Sequence, residues 1–154
     1  MAHVTRTKPF PLYLLLLLHF FLGISALFGG ATLIADPSGQ LIRLPLEMIQ
    51  GTPFPDYLIP GIILFLFNGL LPLLIFYSLL RRPDWRWAER FNLYPERHWA
   101  WAFSLYSGII LILWINVQLI LIQSFTLLQP VYDLLGVAIL ICTLTPSVMN
   151  RFLK

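Results

Sequence analysis

Among the side chains within the apolar runs of this chain of 154 residues that can exchange protons or hydrogen bonds, five stand out: His19 within LLLLLHFFLG, then Asn68, Asn116, Gln123 and Asp133. An imidazole holds or passes a proton, an amide donates and accepts at once, and a carboxylate pairs with a cation. Inside hydrocarbon such groups are expensive, so they face a neighbouring helix or a wet cavity, and the five form a candidate intramembrane polar site. At about 1.5 Å per helical residue, Asp133 lies roughly 4 Å from the outer surface, Asn116 about 12 Å, Asn68 about 15 Å and His19 about 22 Å. This descending series fits a ligand cavity open to the outside or a proton or water track. It equally fits unrelated interhelical hydrogen bonds, typically worth about 0.6 kcal/mol each.

The elements that carry these residues follow from composition. With 58% hydrophobic residues, 11% charged and a mean hydropathy of +0.80, the chain cannot hide its apolar surface in one water-soluble core. An all-α integral membrane protein is expected, a four-transmembrane-helix bundle forming a single membrane domain over 1–154. The segments 11–34, 58–80, 100–123 and 131–149 are long enough to cross about 30 Å of hydrocarbon, the last opening behind Pro130. A cleaved leader is the rival reading of the first segment, but its apolar run is too long.

Counting Lys and Arg through the flanks gives two in the N-terminal tail, one in the first loop, five in the second, none in the third and two at the C-terminus. Basic residues stay in the cytoplasm, so the expected location is a cell (inner or plasma) membrane with both termini cytoplasmic. This placement also accounts for the net charge of +3 without nucleic acid, which is excluded as a partner. Membrane lipids are the expected partners. The cytoplasmic loop adds Arg81, Arg82, Trp85, Trp87, Trp99 and Trp101 as candidate interfacial lipid contacts. A short interfacial helix is expected from Trp85 to about Leu93, with Asp84 as N-cap and Pro95 as its end. Ordinary aromatic anchoring is favoured over dedicated lipid recognition there.

The outer loop reads ADPSGQLIRLPLEMIQGTPFPDYLIPG. Asp36-Pro37-Ser38-Gly39 matches a type I turn place by place, Pro45 can open a short helix closed by Gly51, and Asp56 stands where an N-cap for the second long helix belongs. An ordered extracytoplasmic cap is expected. The stretches DPSG, LPLE and GTPFPDYLIPG in this order resemble an uncharacterised family of small multi-pass prokaryotic membrane proteins, over most of the chain. That resemblance implies the same four-helix membrane architecture and carries no activity and no functional residue.

At 100° per residue His19 shares its face with Gly23, Ala26 and Gly30, whereas the opposite side is Leu and Phe. Matching stripes are Gly61, Phe65, Asn68 and Pro72, then Ser104, Gly108, Asn116 and Gln123, then Asp133, Gly136, Leu140 and Ser147. Small residues let helices approach closely, so His19 is expected among helices, bonded to Asn68 or to a backbone carbonyl near Pro72. A quinone-coupled thiol enzyme needs Cys-x-x-Cys, and the chain has the single Cys142. Sterol isomerases and small multidrug exporters need acids at mid-membrane, a depth at which only His19 titrates here. No metal-binding spacing and no cofactor motif is present. The expected role is therefore a non-enzymatic binding or accessory subunit with a polar intramembrane cavity open towards the outside, alone, as a homo-oligomer or in a larger membrane complex. A proton-linked carrier is the second reading and an enzyme acting on a lipid-soluble substrate the third.

Overall fold

Leucine- and isoleucine-rich runs without interior charges satisfy their backbone polar groups within single helices, the form an apolar solvent demands. In the computed structural model, which describes residues 8–122 and 125–154, three such runs are helices long and apolar enough to cross a membrane. These are α1 (Phe10–Ala35), α2 (Leu58–Arg81) and α4 (Trp99–Ile122). A fourth apolar helix, α5 (Leu128–Leu144), has 17 residues. Two short helices lie beside the long ones, α3 (Arg86–Glu89) and α6 (Pro146–Arg151). Among the described residues there is no strand, only an isolated bridge between Arg97 and Leu153.

Two elements differ from the expected boundaries. The fourth apolar segment opens at Leu128, with Pro130 inside its first turn and not ahead of it, and it does not run on to 149, because Thr145 is extended (φ −63, ψ 131) and a new helix begins at Pro146. A residue that precedes proline is pushed out of the helical region, and Pro146 has no N–H to continue the ladder. The interfacial helix is a single turn, capped by Trp85 and not by Asp84.

Close backbone approaches fix the packing. A Cβ placed on Gly30 would come within 2.8 Å of the Phe65 backbone, and one on Gly61 would meet Leu33, so α1 and α2 run antiparallel at near contact. Gly108 and Gly136 do the same for α4 and α5. α1 also touches α5, and α2 touches α4, which completes a four-helix arrangement.

One end, here the base, carries both described chain ends and the 82–98 loop. Its core is dense: Trp99, Ile75, Leu15, Ile139 and Val148 have no measurable exposure. Trp85 stacks on Trp99 with ring centroids 5.4 Å apart, and Trp99 meets Phe103 edge-on at 5.1 Å. The C-terminal residues are tied into this end. The His98 N–H donates to the Phe152 carbonyl (2.8 Å), the Lys154 N–H donates to the Glu96 carbonyl (3.0 Å), and Lys154 Nζ pairs with Glu89 at 2.8 Å.

The opposite end is the cap, residues 36–57. The Gly39 N–H donates to the Asp36 carbonyl as the turn requires, and the Asp36 carboxylate accepts from the N–H groups of Ser38 and Leu41 and from the Ser38 hydroxyl. The Ser38 hydroxyl and the backbone N–H of Leu41 hold the Asp36 carboxyl below its ordinary range. Pro45 precedes a short 3-10 turn, Leu46–Ile49, and Gly51 follows with φ +85, a conformation open to glycine at little cost. Asp56 accepts from the Leu58 N–H at 2.9 Å, at the start of α2. Tyr57, buried, reaches back to the Pro45 carbonyl and ties the cap to α2.

Candidate functional site

His19 lies in the base half of the bundle and has no exposed surface. Its Nε2 is 2.8 Å from Ser104 Oγ, Ser104 Oγ is 2.8 Å from Thr143 Oγ1, and Thr143 Oγ1 donates to the Ile139 carbonyl at 2.7 Å. A hydroxyl has one proton, so the polarity of this chain is determined from its far end. Thr143 gives its proton to Ile139 and must accept from Ser104. Ser104 in turn must accept from His19, which makes Nε2 the protonated nitrogen. The partner expected at Asn68 or near Pro72 is therefore Ser104 of α4, linked onward to α5. A serine beside a histidine suggests a nucleophile and its base, but here the serine proton points away from the imidazole and Ser104 is fully buried. The assembly is a strut across α1, α4 and α5. Trp101 adds a further tie by donating from its indole to the Thr143 carbonyl at 2.8 Å.

Between the strut and the cap lies a cavity of about 290 Å³. Leu22, Asn68 and Leu111 line it from the middles of α1, α2 and α4, and Ile42, Leu44 and Met48 line it from the cap. Most of the wall is aliphatic, and among the described residues no charged group lines it. Its polar contributors include Trp114, Gln118, Gln129 and Tyr132. Asn68 is 1% exposed, and neither its Nδ2 nor its Oδ1 has a hydrogen-bond partner; the buried indole nitrogen of Trp114 is also unpartnered. Unmatched buried amides are uncommon, because each carries a desolvation cost of about 1–3 kcal/mol.

The local chain geometry around Asn68 is equally unusual. Residues Leu64–Leu70 of α2 form a π-helical stretch, and the Leu71 N–H reaches five residues back to the Leu66 carbonyl. Pro72, which cannot donate, follows at once. A π-turn widens the helix and shifts its downstream faces relative to its upstream ones, and such turns concentrate at functional sites.

The other expected site residues are distributed differently. Asn116 is exposed, donates to its own helix at the Ile112 carbonyl (2.8 Å), and reaches Asp133 only at 3.5 Å. Neither lines the cavity, and nor does His19, so of the described four only Asn68 does. Gln123 lies outside the described residues. At the base, Arg81, Arg82 and Trp87 are exposed and Trp85 is half-buried. Trp99 and Trp101 are not surface contacts: they are 0% and 2% exposed, and the Trp99 indole donates to the Pro83 carbonyl at 2.8 Å. Residues of the 82–98 loop fold over them, Trp85 and His98 on Trp99 and Tyr94 and Arg97 on Trp101, so rings expected against lipid become core. Sequence reasoning passed over Trp114, although the one tryptophan outside the basic loop, in mid-helix, was a legible signal.

No protein-family model, curated protein or solved structure matches this chain.

Proposed function

We propose that this chain is a four-span membrane protein, with the base in the cytoplasm and the cap outside, that holds a small lipophilic molecule in the cavity beneath its cap. The observation that carries this reading is the Asn68 side chain, a buried amide with both ends unpartnered on the wall of an aliphatic chamber. In a protein stabilised by polar contacts alone such a group would be bonded or replaced by an apolar residue. A largely apolar chamber with a few directed polar groups is also the usual form of a small-molecule site. Non-enzymatic binding is favoured because the hydroxyls that border the chamber, Ser25, Tyr57, Thr126 and Tyr132, have no histidine or charged side chain beside them on its wall among the described residues. Three helices of spanning length, a fourth of 17 residues and the basic loop at the base support the membrane placement.

Trp114 supplies a built-in reporter, because the other four tryptophans sit in the base loop and the first turn of α4. In nanodiscs, 5,6-dibromodecane should quench a saturable part of the tryptophan emission, and Trp114→Phe should abolish that part. Quenching that stays linear with probe content and is unchanged by Trp114→Phe would remove the cavity reading. Cysteines at Ser38 and Asn92 in a Cys142→Ala background should label from opposite sides of intact cells, Ser38 from outside. Labelling of Asn92 from outside would invert the orientation.

A further inference from the structure

We infer that the molecule held beneath the cap is an uncharged amphiphile of about ten heavy atoms, with a head that donates and accepts hydrogen bonds at once, such as an alcohol or a primary carboxamide. This inference rests on the reading of the chamber as a ligand site and adds the chemistry of the ligand.

Three observations carry it. The first is the pattern of unmet groups. Asn68 offers an unpartnered carbonyl oxygen and an unpartnered NH₂, and Trp114 offers an unpartnered N–H. A hydrocarbon meets none of them, and an ether or ester oxygen can accept but leaves Asn68 Oδ1 without a donor. A hydroxyl or a carboxamide can meet both ends of the Asn68 amide. The second is the absence of charge on the wall among the described residues. A carboxylate, phosphate or ammonium head seated there would lie in a low-dielectric chamber without a counter-ion, which is strongly unfavourable. The third is size and polarity along the chamber. A volume of about 290 Å³ at ~30 Å³ per atom-sized group accommodates roughly ten heavy atoms. With the head at Asn68, the body lies against aliphatic wall between Leu22 and the cap residues Ile42, Leu44 and Met48. The π-turn beneath Asn68 fits the same picture, since a regular α-helix would bond the backbone of this stretch in a different register.

The test is a displacement series against 5,6-dibromodecane bound next to Trp114, with each competitor's concentration expressed as its fraction in the nanodisc lipid. The competitors are decane, 1-decanol, decanamide, decanoate and decylammonium. Decanol and decanamide should restore Trp114 emission at concentrations at least tenfold below that of decane, and the two ions should be weaker than decanol. Asn68→Leu should erase the advantage of the polar heads and leave decane unchanged; Asn68→Ala, checked by circular dichroism, serves if the leucine variant does not fold. Equal potency of decane and decanol in the native protein would overturn the head assignment while leaving the cavity reading intact. A preference for decanoate or decylammonium would overturn the neutral-head assignment. Absence of saturable quenching by dibromodecane itself would overturn both, leaving Asn68 as an amide that water satisfies.

Discussion

The base and the cap half of this bundle are built from the same kinds of residue and packed in opposite ways. Around Trp99 the chain packs tryptophan on tryptophan, ties its C-terminus into the loop before α4, and passes every proton of the His19–Ser104–Thr143 strut to an acceptor. Around Asn68 the same four helices line a chamber, although α1 and α2 stay in near contact; α2 widens into a π-turn, and the Asn68 amide and the Trp114 indole go unmatched. A polar residue whose donors are met adds cohesion, whereas one left wholly unbonded at a cavity wall costs stability, and the proposed binding role would offset that cost. Bonding is therefore graded and not divided by depth: the strut satisfies its donors while His19 Nδ1 and Ser107 Oγ stay unpartnered, whereas Asn68 has no partner at either end of its amide.

The largest expected effect lies in the base. Trp99→Ala should cost about 3–5 kcal/mol, the range for removing a buried large aromatic, with Trp101→Ala similar because it also frees the Thr143 carbonyl. Trp114→Phe should cost less than about 1.5 kcal/mol. Unfolding in detergent followed by circular dichroism measures all three, and equal losses for Trp99→Ala and Trp114→Phe would erase the contrast between solid and hollow halves.

Next in size is the strut. His19→Leu removes the donor to Ser104 and should cost about 1–2 kcal/mol, whereas His19→Gln, which keeps a donor, should cost about half of that or less. The same unfolding assay decides it. Indistinguishable Gln and Leu variants would show that the strut contributes shape and not hydrogen bonding.

The smallest effect separates the two ends by pH. Burial pushes His98 below the ordinary imidazole range, against the pull of Glu89 and Asp84. The unfolded base thus binds the His98 proton more readily than the folded base, so its stability contribution is complete above the ordinary imidazole range and declines as the pH falls through it. The cap has no histidine, and Asp36, held low by Ser38 and Leu41, keeps its contribution until the pH falls into the carboxylate range. Between those ranges, amide exchange corrected for intrinsic rates should accelerate at His98 and Lys154 but not at Gly39 and Leu41. Acceleration at both ends together would contradict this assignment.

Apolar run length was enough to locate α1, α2 and α4 to within a residue or so, and the turn at Asp36-Pro37-Ser38-Gly39 was legible because each place has a residue with a physical reason to be there. The stripe of His19, Gly23, Ala26 and Gly30 correctly marked an inward face of α1. It did not identify Ser104 as the partner, because a stripe says which side is buried and not which residue lies opposite across a gap of 85 positions. Trp99 and Trp101 were misjudged because tryptophan near a membrane boundary has two homes, the headgroup layer and the core. The choice depended on tertiary contacts: Trp85 stacking on Trp99, and Tyr94 and the distant Thr143 carbonyl meeting Trp101. A proline within a helix, here Pro72, is a local signal of a disturbed hydrogen-bond ladder, but nothing local distinguishes a kink from a π-turn that sets Asn68 against the cavity. Only the three-dimensional arrangement separates Asn68, on the chamber wall, from Asn116, bonded to its own helix on the outer surface.

Whether the hollow half trades stability for binding is decided by measuring both quantities on Asn68→Leu. Replacing an unpartnered buried amide with an apolar side chain of similar size should leave stability unchanged or raise it by about 1–3 kcal/mol, while decanol loses its advantage over decane at Trp114. A variant that is destabilised by a similar amount, with the preference for decanol intact, would place Asn68 with His19 among the structural polar groups and rule out a binding role for its amide.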